Sequence, residues 1–217
     1  MRSKAVLFDL DGTLADTAPD LGAALNQLRA REGLPALPLE EFRPYASAGA
    51  RGLLKCGFGL LPADSRFAPM RDAFLDYYDA HFCVETRLFP GMVELLGEIE
   101  QRGIRWGVVT NKSSRFTPRV LAALGVDARA SCVVCGDSTP HLKPHPAPLQ
   151  LAARELQLDP GECCYVGDDL RDVQAARAAG MRSAAVEYGY HGIENGGPRS
   201  WNADIVIAHP EELLQHL

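Results

Sequence analysis

A short apolar segment that runs directly into two aspartates and a glycine constrains this chain more than any other feature. It spans residues 6–14 and reads VLFDLDGTL. If the strand continued, Asp9 and Asp11 would point to the same face, because side chains alternate along a strand. Carboxylates this close repel each other unless a cation lies between them, and Mg²⁺ binds such carboxylates together with phosphate oxygens. The segment therefore predicts a Mg²⁺ site, although Asp-x-Asp-Gly alone is also typical of a turn.

The composition is that of an ordinary globular chain. Its 217 residues, 47% hydrophobic and 23% charged, suffice for one domain, or for one domain with a large insertion. The formal net charge of −6 gives no electrostatic reason to expect nucleic acid as a partner. No uncharged segment is long enough to span a bilayer, and Asp9 interrupts the apolar run that follows the N-terminus. We therefore expect no membrane association, no signal peptide and a cytoplasmic location.

The six cysteines are expected to be free thiols, as is usual in a reducing compartment. Cys132 and Cys135 have the spacing of a redox or zinc motif. They lie, however, in an apolar segment that is typical of a strand, and no second pair with zinc spacing accompanies them. The sequence favours buried packing cysteines.

Five short apolar runs alternate with helical patterns along the chain. Runs that are apolar on both faces are typical of buried parallel strands. Between them, segments such as 92–99 repeat their apolar residues with helical spacing. The alternation predicts an α/β fold, in which a doubly wound parallel sheet forms a Rossmann-like core. The predicted strands cover residues 5–8, 106–109, 132–135, 163–166 and 183–186.

One stretch breaks this alternation. Residues 16–86 contain no convincing buried strand but show two helical patterns, around Leu21 and around Phe74. We interpret the stretch as a helical cap inserted after the first strand, which predicts a core of residues 1–15 and 87–217 and a cap of residues 16–86. The segment 189–202, rich in Gly and Asn, is expected to form a surface loop.

Polar residues follow the predicted strands at the sheet edge where ligands of such folds bind. A set of carboxylates, a hydroxyl and a lysine suits phosphoryl transfer, in which one carboxylate can act as nucleophile and another as general acid and base. Taken singly, Thr110 is also typical of a strand-end hydroxyl, Lys143 of a loop lysine and Asp169 of a helix N-cap. The strand-end residues are Asp9, Asp11, Thr110, Asn111, Lys143, Asp168 and Asp169.

The chain resembles the haloacid dehalogenase superfamily of phosphatases over essentially its whole length. The resemblance implies that Asp9 is the nucleophile and Asp11 the general acid and base. It also implies that Thr110 and the Asn111 amide hold the transferring phosphoryl group, and that Lys143 neutralises the phosphate and the nucleophile. Four motifs in order carry it: residues 9–13 (DLDGT), Thr110, Lys143 and residues 167–169 (GDD).

The same resemblance implies a Mg²⁺ ion. It would be bound by Asp9, by the carbonyl oxygen of Asp11 and by Asp168. Asp169 would be an additional or water-mediated ligand, whereas Asp172 would orient Lys143 or cap the following helix.

A finer resemblance points to the phosphoglycolate phosphatase branch, with the phosphatases of N-acetylmuramic acid 6-phosphate as a similar sister group. The chain departs from the first branch at Ser113, where that branch usually has proline, and at Asp169, where it often has serine. Both resemblances imply carbohydrate metabolism, a small phosphorylated metabolite with a carboxylate as substrate, and a monomer or homodimer. The first is carried by residues 89–91, 110–112, 143–148 and 188–190, and the second by residues 105–112 and 167–172.

Substrate choice is expected to depend on the cap. We interpret the small-residue segment 47–52 as the specificity loop of the cap. It contains Arg51, which can bind a substrate carboxylate through two parallel hydrogen bonds. Arg51 is equally typical of a surface helix. Three other functions stay open: a sugar-phosphate mutase, a 2-haloacid dehalogenase, and a catalytically silent binding protein. Asp11 and Asp168 argue against the dehalogenase, and the complete set of motifs argues against the silent protein.

Overall fold

The protein is described here by a computed structural model, covering residues 3–192 and 196–217. Its strands are β1 (Ala5–Phe8), β2 (Ala15–Asp16), β3 (Arg87–Leu88), β4 (Arg105–Val109), β5 (Val133–Val134), β6 (Cys163–Gly167), β7 (Arg182–Val186) and β8 (Ile205–Ile207). Six of them form a sheet in which each pair of neighbouring strands is parallel, in the order β5-β4-β1-β6-β7-β8. The central position of β1 places the residues that follow it in the middle of the sheet edge.

Helices cover both faces of the sheet. In β1, Val6 and Phe8 pack against the side that carries the helix over Met92–Gln101. Ala5 and Leu7 pack against the other side, which carries the helices over Ala147–Glu155 and Leu170–Ala179. This alternation confirms the predicted doubly wound fold. No helix within the described residues is both long and apolar enough to span a membrane. The helices are α1 (Ala18–Arg31), α2 (Leu39–Phe42), α3 (Gly49–Phe58), α4 (Phe67–His81), α5 (Met92–Gln101), α6 (Thr117–Ala123), α7 (Ala147–Glu155) and α8 (Leu170–Ala179).

All five predicted strands occur in the sheet. The run at 132–135 forms only two ladder residues, and Cys132 and Cys135 beside them are buried free thiols, as predicted. The edge strand β8 was not predicted, because three apolar residues are too few to separate a strand from a buried turn.

The chain between β1 and β4 forms a helical insertion with a hydrophobic core of its own, which includes Leu25, Leu53 and Phe74. It leaves and re-enters through β2 and β3, which pair antiparallel. The insertion was predicted correctly. The domain boundaries at 15/16 and 86/87 fall within or beside this strand pair and stay a prediction.

Helix α3 corrects the interpretation of segment 47–52 as a loop. A 3-10 helix over Arg43–Ala48 ends there, and α3 begins directly at Gly49. Gly49 has φ 57°, a left-handed conformation in which glycine lacks the steric penalty of other residues. Arg51 therefore lies in the first turn of a helix.

The expected surface loop at 189–202 is partly buried. Tyr190 and Trp201 are 4% and 3% exposed, whereas residues 193–195 lie outside the described residues. The Tyr190 hydroxyl accepts hydrogen bonds from the backbone N–H groups of Thr17 and Ala18 and donates one to Asp16. The glycine-rich pattern indicated a turn correctly, but it contained no sign of these distant partners.

Candidate active site

The strand ends meet at one edge of the sheet, but Asp9 and Asp11 do not share a strand face. Strand β1 ends at Phe8, and the backbone N–H of Leu14 returns to the carbonyl oxygen of Asp9 at 3.2 Å. Gly12 makes this tight turn possible with φ 84°. The two aspartates consequently contact different lysines.

Lys143 lies at the centre of the site and is 3% exposed. Its Nζ is 3.0 Å from Asp9 Oδ1, 2.8 Å from Asp172 Oδ1 and 2.6 Å from the hydroxyl oxygen of Tyr165. Burial works to lower the pKa of Lys143, but the charges of Asp172 and Asp9 raise it above its ordinary value. The lysine is therefore a fixed cation beside Asp9.

Asn111 holds Lys143 in this position. Its side-chain oxygen accepts a hydrogen bond from the Lys143 backbone N–H at 2.9 Å, and its amide nitrogen donates to the Lys143 carbonyl at 3.1 Å. The side chain of Asn111 is thus occupied by its contacts with Lys143.

Three carboxylates form an acidic cluster. Asp9, Asp168 and Asp172 each place an oxygen within 4.8 Å of the others. Burial raises the pKa of Asp9 to about 6 and that of Asp168 well above its ordinary value. One lysine cannot neutralise three carboxylates, and hard oxygen donors with excess negative charge suit Mg²⁺. Both oxygens of Asp172 are engaged, Oδ1 by Lys143 and Oδ2 by the backbone N–H of Asp169, whereas the contacts of Asp9 with other described residues use Oδ1. Asp9 and Asp168 are therefore the pair that fits the ion.

Asp168 is held in a narrow space. Its oxygens accept hydrogen bonds from the Thr13 hydroxyl at 3.1 Å and the Tyr190 backbone N–H at 2.8 Å. A Cβ atom at Gly12 would lie 2.2 Å from Asp168 Oδ2, and one at Gly189 would lie 2.2 Å from Asp168 Cβ. Two glycines therefore let the backbone approach this carboxylate from both sides, and the sequence had identified only the first.

Asp11 points away from the acidic cluster. Its Oδ1 accepts from the Thr17 hydroxyl at 2.6 Å and from Lys112 Nζ at 3.0 Å. The Lys112 side chain is only 8% exposed, and the charge of Asp11 helps to raise its pKa despite burial. Sequence reasoning assigned Lys112 no role, although its place two residues after Thr110 was a usable signal. The occupied carboxylate suits the expectation that Asp11 offers a metal its carbonyl oxygen.

Helix α8 begins with a reciprocal cap. Asp169 accepts a hydrogen bond from the backbone N–H of Arg171 at 2.9 Å, and Asp172 accepts one from the backbone N–H of Asp169 at 3.1 Å. Asp169 also forms an ion pair with Arg171, so the N-cap interpretation accounts for it. Asp172 both orients Lys143 and caps the helix.

A cavity of about 560 Å³ lies between the core and the helical insertion. Asp9, Thr110 and Lys143 line it from the core. Thr110 Oγ1 accepts a hydrogen bond from the Lys112 N–H at 3.1 Å and keeps its own proton to donate. Arg51 lines the opposite side and is exposed. Of the predicted site residues, all but the fully buried Asp168 thus line one space that is large enough for a substrate.

Comparison with known proteins identifies relatives along the whole chain. A family model described as haloacid dehalogenase-like hydrolase matches residues 6–186. An N-acetylmuramic acid 6-phosphate phosphatase of Pseudomonas aeruginosa is 45% identical over 218 residues, which cover 100% of this chain and 96% of that protein. A phosphoglycolate phosphatase of Xanthomonas campestris pv. campestris is 42% identical over 212 residues, which cover 98% of this chain and 95% of that protein. The crystal structure of a predicted phosphoglycolate phosphatase from Haemophilus somnus superposes on this chain with a TM-score of 0.88 at 28% sequence identity. The match covers 100% of this chain and 98% of that one.

Proposed function

Because the chain belongs to the haloacid dehalogenase-like hydrolases and is a phosphatase of that family, we propose that it hydrolyses phosphomonoesters with Asp9 as nucleophile and with Mg²⁺ as cofactor. One observation carries this proposal. The Asp9 carboxylate lies at the cavity, 3.0 Å from the buried ammonium of Lys143 and within reach of Asp168. That arrangement supplies a nucleophile together with the positive charge that a phosphoryl group requires.

We assign the chemical steps according to the roles that the family resemblance implies for these residues. An oxygen of Asp9 attacks phosphorus, and the ester oxygen leaves with a proton from Asp11. Water, activated by Asp11, then attacks phosphorus and releases phosphate from Asp9. The Thr110 hydroxyl and the Asn111 N–H donate to the phosphoryl oxygens, while Lys143 balances their charge. Mg²⁺, bound by Asp9, Asp168 and the Asp11 carbonyl, would neutralise further charge on the phosphoryl group.

We place N-acetylmuramic acid 6-phosphate first among the substrates and phosphoglycolate second, which reverses the order that the sequence favoured. The cavity of about 560 Å³ is in the size range of pockets for drug-sized ligands, far more than a two-carbon acid phosphate fills. The relative at 45% identity supports N-acetylmuramic acid 6-phosphate as the substrate, and the relative at 42% identity supports phosphoglycolate. Both esters carry a carboxylate, which Arg51 can bind.

Phosphate release from the two esters, with Mg²⁺ and with EDTA, tests the proposal. We expect turnover with Mg²⁺ only, and a kcat/KM at least about 30-fold higher for the muramic acid ester, which is about 2 kcal/mol of transition-state binding. An equally large preference for phosphoglycolate would make that the substrate. Turnover that survives EDTA would contradict the role of Mg²⁺, and transfer of phosphate to a sugar instead of water would reveal a mutase.

Arg51→Ala is expected to raise KM for the acidic esters by roughly tenfold, because one charge-assisted contact is lost. The KM for p-nitrophenyl phosphate, which has no carboxylate, should stay within about twofold. Lys55→Ala is the matched control, since Lys55 belongs to the same helix but does not line the cavity that contains Asp9. Equal effects of Arg51→Ala on acidic and neutral esters would refute the carboxylate contact.

We retain two coarser expectations as part of the proposal. The six free cysteines suit the reducing cytoplasm as the location, which cell fractionation tests. The protein is proposed to act as a monomer or homodimer, which light scattering distinguishes.

A further inference from the structure

We propose that Lys112 is a positioning residue for the acid–base chemistry of the site. Its ammonium group, together with the Thr17 hydroxyl, fixes the Asp11 carboxylate through Oδ1, so that Oδ2 is the oxygen that exchanges protons. The inference rests on the proposed function, in which Asp11 protonates the ester oxygen and later activates water. Lys112 itself makes and breaks no bond in the reaction.

The Asp11 carboxylate is held asymmetrically. Its Oδ1 lies 2.6 Å from the Thr17 hydroxyl oxygen and 3.0 Å from Lys112 Nζ. Among the described residues, Oδ2 has only the longer contact, 3.4 Å from the same ammonium nitrogen. Asp11 lines the cavity between the core and the insertion, and its side chain is 17% exposed. Because two donors occupy Oδ1, the oxygen that is available to an ester or to water is Oδ2.

The backbone of Lys112 is fixed by the core. Its N–H donates a hydrogen bond to Thr110 Oγ1 at 3.1 Å. Its carbonyl oxygen accepts hydrogen bonds from the backbone N–H of Gly136 at 2.8 Å and from the Thr117 hydroxyl at 3.2 Å. A lysine whose backbone is held in this way can define the position of the carboxylate that its ammonium group contacts.

The helical insertion contacts the ammonium group as well. Lys112 Nζ lies 4.8 Å from the ring centre of Tyr78 on α4, a cation–π contact, and Phe116 of the core packs edge-on against that ring. Burial works to lower the pKa of Lys112, but its contacts with Asp11 and Tyr78 raise it above its ordinary value. Lys112 therefore stays charged, and the insertion helps to hold it beside Asp11.

Stabilisation of the fold alone does not account for this ion pair. Taking two charges out of water costs about as much free energy as their attraction returns, so a buried ion pair is weak evidence for a stabilising role. Lys112 and Asp11 both line the cavity, and the nucleophile Asp9 has a separate cation in Lys143. Separate cations suit a site in which one carboxylate attacks phosphorus while the other transfers protons.

Each turnover uses Asp11 Oδ2 twice. A proton on Oδ2 passes to the ester oxygen as the bond between that oxygen and phosphorus breaks. Water then gives a proton to Oδ2 as its oxygen bonds to phosphorus and the bond from phosphorus to Asp9 breaks. The first transfer matters most when the leaving alcohol is a weak acid, because such an alkoxide leaves poorly without a proton.

Lys112→Met tests the role, since it keeps an unbranched side chain and removes the ammonium group. Phenyl phosphate and p-nitrophenyl phosphate offer two leaving groups of similar shape, of which p-nitrophenolate leaves more readily without a proton. We expect kcat/KM to fall at least about 30-fold for phenyl phosphate and at most about fivefold for p-nitrophenyl phosphate, because a positioned acid helps chiefly the poorer leaving group. Lys4→Met makes the same change at an exposed lysine and should leave both values within about twofold.

A double-mutant cycle separates action through Asp11 from direct action on the ester. The substrate is N-acetylmuramic acid 6-phosphate or phosphoglycolate, whichever the wild type prefers. In an Asp11→Asn background, adding Lys112→Met should lower kcat/KM by no more than about twofold, because the carboxylate that it positions is already gone. Should thermal melting show that Lys112→Met does not fold, Lys112→Gln keeps a neutral polar group beside Asp11 and is measured in the same way.

Three outcomes would overturn the inference while the phosphatase stands. Unchanged kinetics of Lys112→Met on every ester would mean that Asp11 needs no positioning cation. Equal losses on the two phenyl esters would make Lys112 a structural residue. A full further loss in the Asp11→Asn background, or a loss confined to the acidic esters, would mean that Lys112 binds the ester itself. Absence of Mg²⁺-dependent phosphate release from every ester by the wild type would instead refute the proposed function, and the inference with it.

Discussion

Asp9→Asn is expected to lower kcat by at least about 10³-fold while the protein stays folded. An amide oxygen is a far weaker nucleophile than a carboxylate, and loss of the nucleophile is among the most damaging single changes in an enzyme. The fold should survive, because Lys143 keeps its 2.8 Å ion pair with Asp172. Removing Asp9 also takes one carboxylate from the acidic cluster, so we expect weaker Mg²⁺ binding.

Phosphate release at saturating ester measures the loss, and acid-quenched labelled substrate reveals whether a phosphoenzyme forms. Wild type should yield label bound to protein, whereas Asp9→Asn should yield none. Asp127→Asn makes the same chemical change at an exposed position in a 3-10 helix and should leave the rate unchanged. An Asp9→Asn protein with a tenth of the wild-type rate would mean that another group is the nucleophile.

Lys143→Met is expected to abolish turnover and to destabilise the protein by about 3–5 kcal/mol. The substitution keeps an unbranched side chain but leaves Asp172, whose side chain is 2% exposed, facing Asp9 with no cation between them. Breaking a buried ion pair by removing one partner costs this much, because the remaining charge stays buried and uncompensated. No comparable cation reaches Asp9 in the described part of the chain.

Urea unfolding measures the stability difference. Lys4→Met, which removes an exposed lysine paired with Glu162, should change stability by no more than about 1 kcal/mol. Adding Asp172→Asn to Lys143→Met should restore part of the lost stability, because it removes the orphaned charge. If Lys143→Met were as stable as wild type, the electrostatic account of the centre of the site would be wrong.

The sheet could be predicted because its central strands are apolar on both faces and are followed by polar residues. That pattern located β1, β4 and β6, and with them the neighbourhood of Asp9, Thr110 and Asp168. Helix α3 escaped prediction, because glycine and alanine at 47–52 carry no helical spacing of apolar residues. The sequence predicted that the chain returns to the core near Arg87, but it did not predict that α3 begins at Gly49.

The sequence predicted which residues belong to the site better than it predicted which of them contact each other. That Lys112 pairs with Asp11, and Lys143 with Asp9, depends on the turn at Gly12, which aims the two aspartates apart. The direction of a side chain after a turn depends on tertiary packing, which the local sequence does not specify.

The antiparallel pair of β2 and β3 affects how the helical insertion can evolve. Ala15 lies opposite Leu88, so the intervening helices begin and end at neighbouring points of the core. A loop whose ends are already held together costs the core little more when it lengthens, since the closure entropy grows only with the logarithm of its length. The insertion, to which we assign the choice of substrate, can therefore be lengthened, trimmed or exchanged while the core with Asp9 and Lys143 is inherited intact.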